Sequence, residues 1–182
     1  DQLEELNVKR YKVASPDLVD MPIHKKIIST RKPVILSTGM ANIKEIKKTV
    51  DYYKKNRMKK ITLLHCVSNY PCSIKSLNLK SMVKLKKIFN LPVGFSDHSV
   101  GSDAAIISVG LGATIIEKHF TIDKKLPGAD HFMSMNPKEF SAFVQSIREA
   151  EIRVGLDKKR CQPEEKKFIG LARKSITLKK SM

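Results

Sequence analysis

The chain has 182 residues, a formal net charge of +17 and 41% apolar residues. A chain of this size buries one good core, so we expect a single domain. No apolar run approaches the length of a membrane span, and the N-terminal stretch DQLEELNVKR lacks the apolar segment of a signal peptide. The three cysteines, Cys66, Cys72 and Cys161, have no CxxC spacing, so we expect neither a disulfide framework nor a cysteine zinc site. The same cysteine usage leads us to expect a cytoplasmic setting.

The positive charge is spread over the polar positions of amphipathic segments such as IKEIKKTVDYYKKNRMKK and LKSMVKLKKIF. Nucleic-acid binding would favour clustered Lys and Arg together with aromatic platforms for the bases. Aromatic residues make up only 6% of the chain, and tryptophan is absent. We therefore expect a solvated, lysine-rich surface with some attraction for anionic metabolites and no nucleic-acid partner.

In chain order, apolar and β-branched runs alternate with helical patterns. The predicted strands are RYKVAS, PVILSTG, KITLLHCV, PVGFSD and TIIEKHF. The segment NIKEIKKTVDYYKK, after the second strand, predicts a helix that begins with a capping box of Asn42 and Glu45.

Two further helices follow the third and fifth strands. NLKSMVKLKKIF shows an apolar face of Leu79, Met82, Val83 and Phe89. After the fifth strand, an N-cap, a first-turn proline and a capping partner predict a helix that ends near Gly155; these three residues are Asn136, Pro137 and Glu139.

Strand–helix alternation with nearly continuous apolar strands predicts a parallel sheet covered by helices. Every predicted strand ends in a polar residue, in chain order Ser15, Ser37, Ser68, Ser96 and His119. A (β/α)8 TIM barrel builds its active site at these strand ends, and so does a doubly wound open sheet. The chain has no GxGxxG phosphate loop, which favours the barrel. Since only five strands are predicted, the chain is either an incomplete portion of a barrel or an open sheet.

His98 and His119 stand 21 positions apart, at the ends of the fourth and fifth predicted strands. On adjacent parallel strands, both imidazoles would reach one divalent ion. The alternative is that each histidine caps a helix or lies in the core. His65 is expected to be buried and hydrogen-bonded, and Lys118 is expected to point to the helix layer because side chains alternate along a strand.

The hydroxyls at the strand ends, with Lys12, are suited to ring a phosphate group. The alternative is that Ser15, Ser37, Ser68 and Ser96 are ordinary turn residues. Asp130, in the loop LPGADH, either reaches over the rim or forms a turn.

Five segments, ILSTGMA, LLHCVSNYP, GFSDHSVG, ATIIEKHFT and LPGADHFMSMNP, together resemble the sialic acid synthase family. This family comprises the N-acetylneuraminate synthases and their legionaminate and pseudaminate relatives, and the resemblance runs from about Tyr11 to Ile176. It implies a (β/α)8 barrel that condenses phosphoenolpyruvate with an N-acylated mannosamine-type sugar. The products are a nonulosonic acid and phosphate.

The resemblance also implies roles for residues. Manganese or magnesium, held by His98 and His119, would polarise the sugar aldehyde. Phosphoenolpyruvate binding maps onto Lys12, Ser15, Ser37, Ser68 and Ser96. Positions that contact the sugar, the metal-bound water or both match Tyr70, Glu117 and Asp130.

The chain departs from the family at Ala129, where proline is usual, and at Cys72, where Thr or Ala is common. From comparison with the family, we expect residues 1–182 to form a partial TIM-barrel catalytic domain that lacks the first three strands and the C-terminal antifreeze-like domain. Full-length members work as domain-exchanged homodimers, so we expect the chain alone to be inactive. The alternatives are a phosphoenolpyruvate-dependent synthase of 3-deoxy sugar acid phosphates and a non-catalytic basic binding module on the same fold.

Overall fold

The computed structural model describes residues 2–174 and 176. Five strands form one parallel sheet: β1 Tyr11–Val13, β2 Val34–Ser37, β3 Ile61–His65, β4 Val93–Asp97 and β5 Ile116–Lys118. The strands are hydrogen-bonded in chain order, β1-β2-β3-β4-β5. The five predicted strands and their parallel arrangement are therefore confirmed.

The helices of the described residues are α1 Gln2–Glu5, α2 Met21–Thr30, α3 Ile43–Lys55, α4 Lys80–Phe89, α5 Asp103–Gly110, α6 Pro137–Val154, α7 Pro163–Lys166 and α8 Ile169–Ala172. Short 3-10 helices span Pro16–Val19, Ile74–Ser76 and His131–Met133. Helices α2 to α5 each connect one strand to the next, and α6 follows β5. Each connection thus returns the chain to the same end of the sheet, as in a βαβ unit.

Both predicted capping boxes form. The Asn42 side chain accepts from the backbone of Glu45, and the Glu45 carboxylate accepts from the backbone of Asn42. Asn136 and Glu139 repeat the arrangement at the start of α6. These side chains satisfy backbone N–H groups that have no partner inside the helix, and so fix where α3 and α6 begin.

The predicted apolar face of α4 is partly wrong. Met82 and Phe89 are buried, as expected, but Val83 is 45% exposed and Leu85 is 4% exposed. Leu85 lies three residues after Met82 and four before Phe89, so these three share one face of the helix. Val83 lies about a quarter of a turn around the helix axis from Met82 and points outward.

The sheet is curled. Alternate residues such as Val13, Leu36, Leu63 and Phe95 are buried in the main core, which the helices complete. The opposite, inner face carries polar residues near its carboxyl end. There Nζ of Lys12, on β1, lies 3.3 Å from Oε1 of Glu117, which is on β5. The fold is an incomplete (β/α)8 barrel, a curled half-barrel of five strands with helices outside.

Candidate active site

Two imidazoles and a phenol meet at the carboxyl ends of the strands. His98 follows β4 and His119 follows β5, and their ring centroids lie 5.4 Å apart. The Tyr70 ring, from the loop after β3, lies 4.2 Å from the His98 ring and 5.4 Å from the His119 ring. The fold therefore brings together three side chains that are up to 49 positions apart in the sequence.

The ring of His98 is held in one tautomer. Its Nδ1 lies 2.7 Å from the carbonyl oxygen of Val67, which can only accept a hydrogen bond. Nδ1 therefore carries the proton, and Nε2 presents a lone pair near Ser96 Oγ, 3.2 Å away. Burial, the largest cause, lowers the pKa of His98, which favours this neutral form.

Glu117 joins the two sides of the inner face. Its Oε1 accepts a hydrogen bond of 2.7 Å from Ser96 Oγ and lies 3.3 Å from Lys12 Nζ. Farther along the rim, Asp130 Oδ2 lies 3.9 Å from Nδ1 of His119. An ammonium group, two carboxyl groups and two imidazoles thus share one rim.

A second group of hydroxyls converges on Gly39, after β2. The backbone N–H of Gly39 donates to Ser15 Oγ at 3.1 Å, and the same hydroxyl lies 3.2 Å from Cys66 Sγ. A Cβ atom on Gly39 would lie 2.4 Å from Ser68 Oγ and 2.8 Å from Ser15 Oγ. Glycine at this position therefore lets Ser15 and Ser68 approach from two different loops.

Two of the predicted hydroxyls are buried without a partner. Ser37 Oγ and Ser68 Oγ make no hydrogen bond to any of the residues that the structure describes. Leaving a buried hydroxyl unsatisfied costs on the order of 1–3 kcal/mol. A partner for each of these hydroxyls would have to come from water or from a bound molecule.

Two other predictions concern residues behind the site, and both are confirmed. His65 is buried, and its Nε2 bonds to the carbonyl oxygen of Leu77 at 2.8 Å. Lys118 points away from the rim into the helix layer, where its Nζ lies 2.8 Å from Asp97 Oδ2. The side chains that flank Lys118 in the sequence, Glu117 and His119, are the ones that reach the site.

The two imidazoles suit one first-row metal ion. Rings that share an ion through bonds of about 2 Å must stand as close as His98 and His119 do. The Nε2 lone pair of His98 is available, and Nδ1–H is anchored on a carbonyl, an arrangement common behind metal-binding histidines. Among residues 2–174 and 176, no group of three or more His, Cys, Asp and Glu is placed to hold a metal. Two protein ligands would leave the other positions to water and substrate.

Sequence reasoning missed several residues of the site. Cys66 contacts Ser15, the Val67 carbonyl orients His98, and Gly39 makes room for the hydroxyls. Only Gly39 carried a signal, because a glycine within a predicted strand, here PVILSTG, indicates close approach of a backbone or a ligand. The Val67 contact uses a main-chain atom, which no side-chain motif identifies.

No helix within the described part of the chain is long and apolar enough to cross a membrane. The three cysteines are free thiols, Cys66 and Cys72 buried and Cys161 exposed.

The curled parallel sheet, with its polar cluster at the carboxyl ends of the strands, defines the chain as part of a (β/α)8 barrel with a candidate active site at those ends. More specifically, the sequence model of the NeuB family matches residues 1–159, and the chain belongs to this family. The resemblance drawn from the five motifs is thereby confirmed.

Individual relatives support the same family assignment. The chain is 43% identical over 186 residues to N,N'-diacetyllegionaminic acid synthase of Legionella pneumophila, covering 100% of this chain and 52% of that protein. It is 46% identical over 182 residues to an uncharacterized protein of Methanocaldococcus jannaschii, covering 100% of this chain and 54% of that protein. The crystal structure of N-acetylneuraminic acid (sialic acid) synthetase from Leptospira borgpetersenii, in complex with citrate, superimposes with a TM-score of 0.86 at 36% identity. That match covers 93% of this chain and 59% of the other. The chain spans about half the length of the curated relatives it matches.

Proposed function

We propose that the protein containing this chain condenses phosphoenolpyruvate with an N-acylated mannosamine-type sugar to give a nonulosonic acid and phosphate. The observation that carries the proposal is the pair of imidazoles, His98 and His119, 5.4 Å apart and beside Tyr70. Membership of the NeuB family supports the same chemistry, because its named relatives include synthases of legionaminic and sialic acids.

In this proposal His98 and His119 would hold manganese or magnesium, and the ion would supply the Lewis-acid chemistry that polarises the aldehyde of the open-chain sugar. The Val67 carbonyl keeps the Nε2 lone pair of His98 directed to the rim, so no proton has to leave that ring before binding. The single hydrogen of the Ser96 hydroxyl is donated to Glu117, so the Nε2 lone pair of His98, 3.2 Å from Ser96 Oγ, stays free to bind the ion.

Phosphoenolpyruvate is an anion, and the inner face offers a matching set of groups. Lys12 supplies the positive charge, and the hydroxyls are those of Ser15, Ser37, Ser68 and Ser96. The unpartnered hydroxyls of Ser37 and Ser68 would gain hydrogen bonds only when the ligand arrives. Hydrogen bonds to a charged group contribute about 1.5–3 kcal/mol each, so these hydroxyls favour an anion over water.

The C2=C3 electrons of phosphoenolpyruvate form a bond from C3 to the aldehyde carbon, which leaves C2 cationic, and the aldehyde oxygen gains a proton. Water adds at C2 and loses a proton. The C2–O bond to phosphate then breaks, the C2 hydroxyl becomes a carbonyl, and its proton leaves with the phosphate. Tyr70, Glu117 and Asp130 surround this region and are proposed to hold the sugar hydroxyls and the water through which these protons move.

The proposal applies to a longer protein. We propose that further barrel strands and a C-terminal domain complete the site, that the whole protein is a homodimer, and that it works in the cytoplasm. The free thiols of Cys66, Cys72 and Cys161 agree with a reducing setting.

A chimera tests the proposal. The chain replaces the matching 186 residues of the Legionella pneumophila relative, which supplies the rest of a barrel. Phosphate release is then measured with phosphoenolpyruvate and N-acylated mannosamines, with and without manganese. We expect metal-dependent release, which is lost in the His98→Ala, His119→Ala double variant and kept in a His131→Gln control.

Two outcomes would contradict the proposal. Turnover only with phosphorylated sugars would favour the synthase of 3-deoxy sugar acid phosphates. A folded chimera that binds neither manganese nor phosphoenolpyruvate, but binds heparin in a salt-sensitive way, would favour the basic binding module.

A further inference from the structure

Behind the rim, on the helix side of the sheet, lies a buried ion pair. Lys118 Nζ is 2.8 Å from Asp97 Oδ2, and the two side chains are 3% and 0% exposed. Asp97 and Lys118 are direct partners in the β4–β5 register. Among the ion pairs between residues that the structure describes, this is the one with both side chains buried.

Both members of the pair make further hydrogen bonds, to Ser99, the residue after His98. Asp97 Oδ1 accepts from the backbone N–H of Ser99 at 2.8 Å and from its hydroxyl at 2.6 Å. Lys118 also donates to the Ser99 carbonyl oxygen. The two charges therefore hold the start of the β4–α5 loop from both sides.

Stability alone does not explain this pair. Removing two charges from water costs about as much as their attraction returns, so a well-packed apolar pair is usually as stable or more stable. The same face of the sheet is apolar at other buried positions, such as Val13, Leu36 and Leu63. Compared with apolar packing, the ion pair adds direction, since its hydrogen bonds permit one register and one orientation.

That register determines where the site residues stand. Successive side chains on a strand point to opposite faces, so fixing an outward pair also fixes its inward neighbours. Asp97 lies between Ser96 and His98, and Lys118 lies between Glu117 and His119. The hydrogen bond from Ser96 to Glu117, in the next register step, shows that the inward neighbours are indeed aligned.

Two hydrogen bonds hold His98 from the β3 side. Its ring bonds to Val67, and its carbonyl oxygen accepts from the backbone N–H of Cys72 at 2.7 Å. The carbonyl of His119 is held from beyond the sheet, by the N–H of Met135 at 2.9 Å. The pair of Asp97 and Lys118 ties these two halves to each other on the helix side of the sheet, as the Ser96–Glu117 hydrogen bond does on the inner side.

We propose that Asp97 and Lys118 are positioning residues that set the distance between the imidazoles of His98 and His119. The inference deepens the proposed function and rests on it for its metal-binding consequence. Neither residue touches substrate, since both lie on the opposite face of the sheet.

The test replaces both charges at once, with Asp97→Leu and Lys118→Met in this chain. The double variant avoids leaving an unpaired buried charge, which the single Lys118→Met variant would do. The matched control is Asp51→Leu with Lys47→Met, which removes an exposed ion pair of 2.6 Å on α3. Thermal melts followed by circular dichroism identify the variants that remain folded.

The first readout is NMR of ¹⁵N-labelled histidine. We expect the imidazole resonances of His98 and His119 to shift or broaden in the Asp97/Lys118 double variant, and to stay unchanged in the control. His24, buried and bonded to Tyr53 and to the Leu18 carbonyl, is the internal reference and should not move. A folded double variant in which the His98 and His119 resonances keep their positions overturns the inference.

The second readout is manganese affinity, from the electron paramagnetic resonance signal of the free ion. We expect at least a tenfold weaker affinity in the double variant and an unchanged affinity in the control. Equal affinity in all three proteins counts against positioning. If the unmodified chain binds no manganese, the proposed metal role fails, and the imidazole resonances alone decide whether the pair positions the rings.

Discussion

Lys12 Nζ lies 3.3 Å from Glu117 Oε1, although the two residues belong to the first and last strands of the sheet. In a flat sheet, four strand spacings of about 4.8 Å would separate β1 from β5 by about 19 Å. A lysine and a glutamate side chain cannot span that distance, so the contact requires the sheet to curl. The curl therefore assembles the inner-face site from strands that are not neighbours.

Replacing Lys12 by Met should weaken phosphoenolpyruvate binding far more than it weakens the fold. Both side chains of the Lys12–Glu117 pair are more than a third exposed, and exposed pairs contribute about 0–1 kcal/mol. A charge-assisted bond to the ligand contributes about 1.5–3 kcal/mol, so we expect an affinity loss of roughly 10- to 150-fold. Calorimetry on the chimera measures it. Lys44→Met, on an exposed position of α3, is the control, and an equal loss there would show that only net charge matters.

Removing an unpartnered hydroxyl should separate stability from binding. Ser37→Ala and Ser68→Ala each delete a buried oxygen that lacks a hydrogen bond, so we expect the unfolding free energy to stay constant or rise by about 1 kcal/mol. Phosphoenolpyruvate affinity should fall, because each variant loses a donor to the anion. Urea unfolding and calorimetry measure the two effects.

Ser108→Ala is the matched control for these hydroxyls. Ser108 is fully buried, but its hydroxyl donates to the Ala105 carbonyl at 2.7 Å inside α5. We expect it to cost stability and to leave phosphoenolpyruvate affinity unchanged. If Ser37→Ala and Ser68→Ala behave like this control, the two hydroxyls do not serve the ligand.

Most of the fold could be predicted from the sequence, because the sequence signals for its strands and helix starts are local. Strand periodicity predicted β1 to β5, and the capping boxes at Asn42 and Asn136 predicted the starts of α3 and α6. Alternation along β5 predicted the outward direction of Lys118. The exposed position of Val83 was missed, because it depends on how α4 is rotated against the sheet, which packing decides.

The candidate site residues could be selected from the sequence, but the contacts between them could not. Strand-end position and the family motifs selected His98, His119, Glu117 and the serines. The hydrogen bond from His98 to the Val67 carbonyl and the meeting of Lys12 with Glu117 were not predictable from spacing. The first uses a backbone atom, and the second depends on the curvature of the whole sheet.

Adding one methyl group at Gly39 should close the hydroxyl cluster. In Gly39→Ala the new Cβ would lie 2.4 Å from Ser68 Oγ and 2.8 Å from Ser15 Oγ, so both hydroxyls must rotate away. Since hydroxyls rotate readily but the site is well packed, we expect a moderate cost of about 1–3 kcal/mol and at least a tenfold loss of phosphoenolpyruvate affinity. Urea unfolding and calorimetry measure both.

The control for Gly39 is Gly110→Ala, at the end of α5, where an added Cβ meets no atom within 4 Å. Because alanine favours a helix, this change should be neutral or stabilise by up to about 1 kcal/mol, with unchanged affinity. Equal phosphoenolpyruvate affinity in Gly39→Ala and in the unmodified chimera would show that the hydroxyls at Gly39 do not form the anion site.

Buried histidine should make the fold less stable in mild acid. Burial, the largest cause, lowers the pKa of His65, against the opposing effect of its hydrogen bond to the Leu77 carbonyl. In the unfolded chain a histidine titrates near its ordinary pKa of about 6.5. Below that pH the unfolded state therefore binds more protons than the native state, and the unfolding free energy falls as the pH falls.

The measurement is the urea midpoint of this chain between pH 8 and pH 5.5, a range that lies above the titration of ordinary carboxyl groups. We expect the urea concentration at the midpoint to decrease once the pH falls below about 6.5. In His65→Gln, whose amide N–H can still donate to Leu77, the drop should be smaller but not absent, because burial also lowers the pKa of His98. His131→Gln, which removes a less buried imidazole, is the control. If His65→Gln loses as much stability over this range as the unmodified chain, the neutral His65 ring is not what couples this fold to pH.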